Sequence, residues 1–281
     1  MLNKLPLGQI KDKKPFLKGL GSLFLRRSIN RKPHVEIDFR KGKYWVKTAS
    51  CAEERRLAYR LRYDVFYKEF CQRDVELGID IDRFDQISDM LIITDMDTGK
   101  IIGTYRFICS EFSKTFYSQT EFQLDDFLDL PGIKVELSRA CIHPDYRKGT
   151  VIHLLWKGIY QYLSAVNAHY LFGLSSITHI DAKKALGIIQ RLNEDGHISG
   201  SLNIYPWGSF DKSKFLLKEL GPTGEGASPM SLPPLFKAYL KAGAKVAAVP
   251  AYDKQFKCYD FFTVLPVKEL NQTHARKYSK N

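Results

Sequence analysis

The stretch that decides the fold reads Val135-Glu136-Leu137-Ser138-Arg139-Ala140-Cys141-Ile142, then His143-Pro144-Asp145-Tyr146-Arg147-Lys148-Gly149-Thr150, then Val151-Ile152-His153-Leu154-Leu155-Trp156-Lys157-Gly158-Ile159. The first segment predicts a strand from Val135 to Ile142. The second is a loop ending in Thr150, a residue type suited to an N-cap. Residues 151–166 then predict an apolar helix, with Ile152, Leu155, Trp156, Ile159 and Leu163 on one face. Tyr170-Leu171-Phe172-Gly173-Leu174 follows as a short buried strand.

Upstream, Tyr44-Trp45-Val46-Lys47 alternates like a first strand, and residues 52–70 carry Leu57, Leu61, Val65, Phe66 and Phe70 at helical spacing. Leu91–Thr94 and Ile101–Ile108 flank the turn Asp97-Thr98-Gly99-Lys100 and predict a hairpin. Downstream come a helix over 181–194, a loop-rich stretch over 198–230, a helix over 233–241, and strands near 245–249 and 257–265. This alternation argues for one α/β domain with a mixed sheet.

Four charged signatures lie along these elements in order: Arg62-x-x-x-Phe66, Asp82-Arg83-Phe84-Asp85, Gly103-Thr104-Tyr105-Arg106 and Glu136-Leu137-Ser138-Arg139. Alone, Arg62 reads as a surface charge and the aspartates as loop solvation. Arg106 and Glu136 are different, because each sits between apolar neighbours on a strand. A buried charge costs several kcal/mol unless it is paired. The bland reading is an ion-pair network that holds the sheet, and the sharper one is a functional site.

The order Arg62, Phe66, Asp82, Asp85, Arg106, Glu136, Arg139 resembles the shared pattern of acyl-homoserine-lactone synthases and their relatives. From Glu136 onward the chain is more similar to the ornithine N-acyltransferases of ornithine-lipid synthesis. The similar pieces include His143-Pro144-Asp145-Tyr146-Arg147, Leu154–Ile159, Leu171-Phe172-Gly173, Pro234–Leu240 and Asp253-Lys254-Gln255-Phe256 with Asp260. The resemblance covers about residues 55–265, and it differs at Ser138, where those enzymes usually carry Gly, and at Ser175-Ser176. It implies an acetyltransferase-like (GNAT-type) fold with a mixed, mostly antiparallel central sheet flanked by helices. It also implies transfer of a (3-hydroxy)acyl group from acyl carrier protein to an amino-acid acceptor, ornithine or a related one, for an aminolipid. Synthesis of an acyl-homoserine lactone, or of another N-acyl amino acid, is the alternative.

In such a transfer an amine attacks a thioester carbonyl. An α-amine has a pKa of roughly 8, so a carboxylate needs to give only modest help. Glu136 is the expected base, with Arg139 as its catalytic companion, and Arg62, Phe66, Asp82, Asp85, Arg106 and Ser138 as substrate-binding residues. Asp82 and Asp85 would line or brace the acceptor site, while Arg62 and Arg106 pair those acids or hold the acceptor carboxylate. Period two places Glu136 and Arg139 on opposite faces of a regular strand. A β-bulge between them would bring them together and free a backbone N–H for the oxyanion.

Arg147, Lys148, Gly149 and Thr150 are the expected donor-binding residues. Val151 and Ile152 are too bulky for the tight pyrophosphate loop of coenzyme A acetyltransferases. A helix N-terminus can still take the single phosphate of phosphopantetheine, which arrives on the donor, so no bound cofactor is expected.

The 281 residues carry a formal net charge of +12, unevenly placed. Residues 1–47 hold 13 Lys and Arg against three acids, residues 268–281 add a net +3, and the rest is near neutral. The chain therefore reads as a basic arm over 1–42, an acyltransferase domain over 43–267 and a basic tail over 268–281. Phe16, Leu17, Leu20, Leu23 and Phe24 share one helical face beside Lys14, Lys18, Arg26 and Arg27. Such a stripe suits an anionic membrane surface or packing on its own domain. With the charge outside the body and no zinc-finger pattern, nucleic acid is not an expected partner. Five widely spaced cysteines and seven histidines without HExxH or HxH spacing predict free thiols and no metal. No apolar run is long enough to span a bilayer and no signal-peptide pattern opens the chain, so the expected location is cytoplasmic, with a peripheral position on the inner membrane face if the arm binds lipid.

Overall fold

The computed structural model describes residues 25–147, 149–200, 202–208 and 232–270. One large sheet runs in the order β1-β2-β3-β4-β6-β7-β11-β10, formed by Asp38–Lys41, Tyr44–Thr48, Asp89–Asp95, Lys100–Cys109, Lys134–Ile142, Tyr170–Thr178, Cys258–Pro266 and Ala251–Asp253; β9 (Lys245–Val246) pairs with β11. All its neighbours are antiparallel except β6 and β7. A two-stranded ribbon of β5 (Phe122–Gln123) and β8 (Tyr205–Pro206) stands apart.

One face of the sheet packs against α3 (Thr150–Ala165), where Leu155, Trp156, Ile159 and Tyr162 meet Tyr105, Phe107, Leu137 and Leu171. Further along, α4 (Ala182–Glu194) and α5 (Pro234–Ala242) cover Ile177, Tyr259 and Phe261. The opposite face is covered by α1 (Ala52–Tyr63), which sets Ala58, Tyr59 and Leu61 on Met90, Ile92 and Cys141. Beside α1, Phe116, Phe122 and Phe127 of the 110–133 connection pack on Ile108, Phe172 and Phe262. That connection includes the short helix α2 (Asp125–Asp129).

The parallel pairing of β6 with β7 stops at Leu137 opposite Gly173. Beyond it β6 continues with β4 to Ile142, and β7 continues with β11 to Thr178. The two strands thus part into a wedge open at their C-terminal ends. Gly173 is required at the apex, since a Cβ there would collide with the Leu137 carbonyl oxygen.

Two sequence expectations change. The arm does not extend to residue 42: β1 pairs with β2, and Ile29, Val35 and Ile37 are buried. Its apolar contacts come from branched residues between the charges, which net charge conceals. The amphipathic stripe Phe16–Phe24 and the tail beyond Leu270 lie outside the described residues. The helix expected over 52–70 divides into α1 and π-helical turns over Asp64–Phe70, and Leu57 and Phe70 face solvent. The inward face of α1 is made instead by Arg55, Ala58, Tyr59, Leu61 and Arg62. No helix among the described residues is long and apolar enough to cross a membrane.

Candidate active site

Arg62 projects from α1 into the sheet and is fully buried. Its Nε donates to Asp80 Oδ2 at 2.8 Å, and its Nη1 and Nη2 donate to Asp85 at 2.7 and 3.1 Å. Asp82 caps the short 3₁₀ turn Arg83–Gln86 by accepting from Phe84 N at 2.8 Å, and Asp85 accepts from Asp82 N at 2.8 Å. From β4, Arg106 donates through Nη1 to Asp82 at 2.6 Å and through Nε to Ser138 Oγ at 2.9 Å. From β6, Arg139 donates to Asp80 at 3.1 Å and to Asp82 at 3.0 Å. The structure therefore brings Arg62, Asp82, Asp85, Arg106, Ser138 and Arg139 together, and adds Asp80, which sequence reasoning missed. Asp80 lies between Ile79 and Ile81, the same charge-among-apolar signal that marks Glu136.

The β4–β6 register shifts between Thr104 and Arg106, so Arg139 and Ala140 together oppose Tyr105. Arg139 takes a positive φ of 52°, a costly conformation for a residue with a Cβ. This bulge turns the Arg139 side chain onto the face shared by Arg106 and Ser138. There its guanidinium lies over Tyr117 at 4.8 Å, Phe256 at 5.2 Å and Phe66 at 6.0 Å. Phe66 is placed by the π-helical turns and touches the β10–β11 hairpin through Phe256.

Burial alone would raise the Asp80 carboxyl, but Arg62 and Arg139 outweigh it and hold it below the usual range. Asp82 behaves likewise under Arg106 and Arg139, and sits well below the usual range. Carboxylates held this way are poor proton acceptors. One donor of the network has no partner among the described residues, the buried Arg106 Nη2.

Glu136 is fully buried on the same face but occupied differently. It accepts from Tyr117 N and Ser118 N, both at 2.7 Å, and from Ser118 Oγ at 2.5 Å. These bonds tie β6 to the turn Tyr117–Thr120, which carries the ring beneath Arg139. Burial pushes the Glu136 carboxyl up, while the bonds from Ser118 and Tyr117 pull it down. Both carboxylate oxygens of Glu136 are thus engaged by the Tyr117–Ser118 turn, which the carboxylate braces. Sequence shows only a charge on a strand, since its partners lie 18 and 19 residues earlier.

The donor loop is also changed. Arg147 is bound to Glu69 through two bonds of 2.6 Å and to the Ile142 carbonyl at 3.0 Å. Gly149 precedes α3 at a φ of 78°, and no side chain caps the helix. The N-cap expected of Thr150 is therefore absent, and Thr150 is the first helical residue. Lys148 lies outside the described residues. On the α3 face a small pocket sits at the wedge apex, lined by Leu137, Gly173, Leu174, Ser175, Tyr239 and Thr263. The wedge thus has an apolar opening on one side and the charged network on the other.

A second buried acidic cluster lies on the network's face. Glu121 follows the Tyr117–Thr120 turn, Asp253 ends β10, and Asp260 and Cys258 lie on β11. Ser176 Oγ donates to Asp260 Oδ1, and Cys258 Sγ lies 3.7 Å from both Asp260 oxygens. Asp253 Oδ1 accepts from Gln255 N at 2.6 Å and Phe256 N at 3.2 Å. Asp253, Cys258 and Asp260 could offer three atoms to a metal ion, a grouping that the spacing rules used on the sequence did not detect.

Residues 61–157 match the family described as Acetyltransferase (GNAT) domain. Over 254 residues the chain is 28% identical to an L-ornithine N(alpha)-acyltransferase of Brucella abortus (strain 2308), covering 85% of this chain and 90% of that one. It is 26% identical over 250 residues to the protein of the same name from Rhodobacter capsulatus, covering 84% and 95%. Among solved structures, a coenzyme A-dependent acyl-homoserine lactone synthase superposes with a TM-score of 0.42 at 14% identity, over 79% of this chain and 81% of that one.

Proposed function

Starting from a chain that is an acyltransferase of the GNAT fold, we propose that it moves a (3-hydroxy)acyl group from acyl carrier protein to the α-amine of ornithine, supplying an aminolipid. The observation that carries the acceptor is the alignment with proteins named L-ornithine N(alpha)-acyltransferase along most of the chain. The wedge supports the reaction class. A thioester entering from the pocket side would bring its carbonyl to the strand edges past Leu137 and Gly173, where the ladder between β6 and β7 has ended. A backbone N–H there can meet the oxyanion without first leaving another partner.

The acceptor would approach from the charged face. Arg106 Nη2, buried and without a partner among the described residues, suits the acceptor carboxylate. Arg139 and Ser138 border the same space. The α-amine, with a pKa of roughly 8, can lose its proton to water at modest cost, so no dedicated carboxylate is required. Glu136 is then a positioning residue that holds Tyr117 under Arg139.

For the donor, the N-terminus of α3 offers backbone N–H groups to a single phosphate. Release of Arg147 from Glu69 would free a guanidinium for an acidic carrier protein. A basic N-terminal stretch held at an anionic leaflet would place the insoluble product next to lipid.

The test is an assay of the purified full chain with ornithine and a 3-hydroxyacyl chain on either carrier protein or coenzyme A, read by mass spectrometry. Nα-acylornithine formed faster from the carrier protein, with a rate that falls as salt rises, is expected. Equal use of both donors would overturn the carrier-protein part. No acylation of ornithine would overturn the acceptor.

A further inference from the structure

The Glu121–Asp253–Asp260 cluster is an imbalance that the fold does not explain. All three side chains are buried, at 2%, 6% and 3% exposure. No Lys, Arg or His forms an ion pair with any of them among the described residues, although buried carboxylates ordinarily require one. Arg139, whose charge acts on Glu121, is committed to Asp80 and Asp82. Glu121 has in addition a buried carboxyl oxygen, Oε2, with no hydrogen-bond partner among the described residues. Its carboxyl interacts with Asp260 and Asp253, which places Glu121 in the cluster.

We propose that Glu121, Asp253 and Asp260 form the specificity pocket for a cationic side chain of the acceptor, receiving the terminal ammonium of a diamino acid while its α-amine faces the wedge. This rests on the reading of the protein as an amino-acid N-acyltransferase and specifies which amino acids it takes. The ligand's chemistry follows from the cluster. An alkylammonium brings three N–H donors and one positive charge. The cluster offers an orphan carboxyl oxygen, a second carboxylate beside it, and Asp253, whose Oδ1 is already held by its own turn.

Position supports the same ligand. Ser176 and Asp260 pair across β7 and β11, on the arm of the wedge opposite Arg139. Phe256 joins the two clusters, since it lies under Arg139 and follows Asp253 in the hairpin turn. An α-amino acid could therefore place its carboxylate toward Arg106 and its side chain toward the acids.

The experiment compares acceptors on the full-length enzyme: ornithine, lysine, 2,4-diaminobutyrate, and norleucine, in which a methyl group replaces the ornithine ammonium. The wild type should use the diamino acids and use norleucine at least tenfold less well in kcat/KM. In Asp260→Asn and Glu121→Gln the KM for ornithine should rise about tenfold to a hundredfold, as expected for loss of a charged hydrogen bond, with the KM of the acyl donor unchanged. The discrimination against norleucine should shrink with it. Wild-type use of norleucine as good as that of ornithine overturns the proposal without any variant. Folded variants with an unchanged ornithine KM overturn it while leaving ornithine as the acceptor. A preference for lysine over ornithine supports the pocket and removes ornithine as the substrate. Stoichiometric metal in the purified protein, lost with activity on chelation, overturns it in favour of a cation site.

Discussion

In the Arg62–Asp80–Asp82–Asp85–Arg106–Arg139 network three guanidiniums meet three carboxylates; in the Glu121–Asp253–Asp260 cluster three carboxylates meet one another. Both are buried on one face of the same sheet, and Tyr117 and Phe256 lie at the border between them. In the balanced network, attraction offsets the cost of burial and locks the bulge at Arg139. In the unbalanced cluster the cost remains until a proton or a cation arrives. A buried acid can thus serve architecture or recognition, and its neighbours' charges tell which.

The comparison is broken most forcefully at Arg62. Arg62→Ala leaves Asp80 and Asp85 buried with their main partner gone, and the expected loss of stability is about 3–5 kcal/mol. Denaturant unfolding measures it. A loss below about 1 kcal/mol would mean that the network is not structural.

The balanced network was partly legible in the sequence, because Arg106 and Glu136 interrupt apolar strands and buried charge needs partners. Asp82 and Asp85 were found with them, and the hairpin, α3, α4 and α5 followed from periodicity. The GNAT-type sheet was legible through resemblance in the stretch from Glu136 onward. What escaped depends on contacts between distant segments. Glu136 meets Tyr117 and Ser118 across a connection of no regular pattern, so the brace it forms is not legible in the sequence. Glu121 stands in a polar-looking loop, and its burial beside Asp260 of β11 is a contact between distant segments. Asp253 and Asp260 carry a family resemblance but no local sign of a role, because nothing in the sequence around them shows that no cation faces them. β1 was hidden in a strongly basic stretch by charges that point outward.

The second break is at Asp260 and runs the opposite way. Burial raises its carboxyl to about 6, opposed by hydrogen bonds from Ser176 and Glu121, with Asp253 pushing it further up and Cys258 opposing. Glu121 is raised well above its usual range by burial and by Asp260 and Asp253, with Arg139 opposing. An acid whose folded pKa is raised binds more protons when folded than when unfolded. Its contribution is therefore present below about pH 4 and is lost as pH rises through about 6. Stability of the ligand-free wild type should fall over this window by on the order of 2 kcal/mol from this group. Asp260→Asn should flatten that slope and equal or exceed the wild type in stability near neutral pH. An Asn variant that unfolds more easily than wild type at pH 7 would show that the carboxylate is held for architecture after all, like those of the network.

The smallest effect supplies a third point, at the surface. Arg147 and Glu69 make two bonds of 2.6 Å, closer than most in the buried network, yet their side chains are 39% and 34% exposed. In water the attraction is screened and both side chains lose freedom when they pair, so Arg147→Ala should cost at most about 1 kcal/mol of stability. Any larger loss would come from the bond of Arg147 Nε to the Ile142 carbonyl, which ties the end of β6 to the loop before α3. Glu69→Gln separates the two contributions, since it weakens the ion pair and leaves that bond in place. If Arg147 also receives the donor, Glu69→Gln should lower the KM for an acyl carrier protein at low salt, and the gain should vanish as salt rises. A KM indifferent to Glu69→Gln at every ionic strength would confine Arg147 to holding the loop, and the carrier protein would have to dock elsewhere.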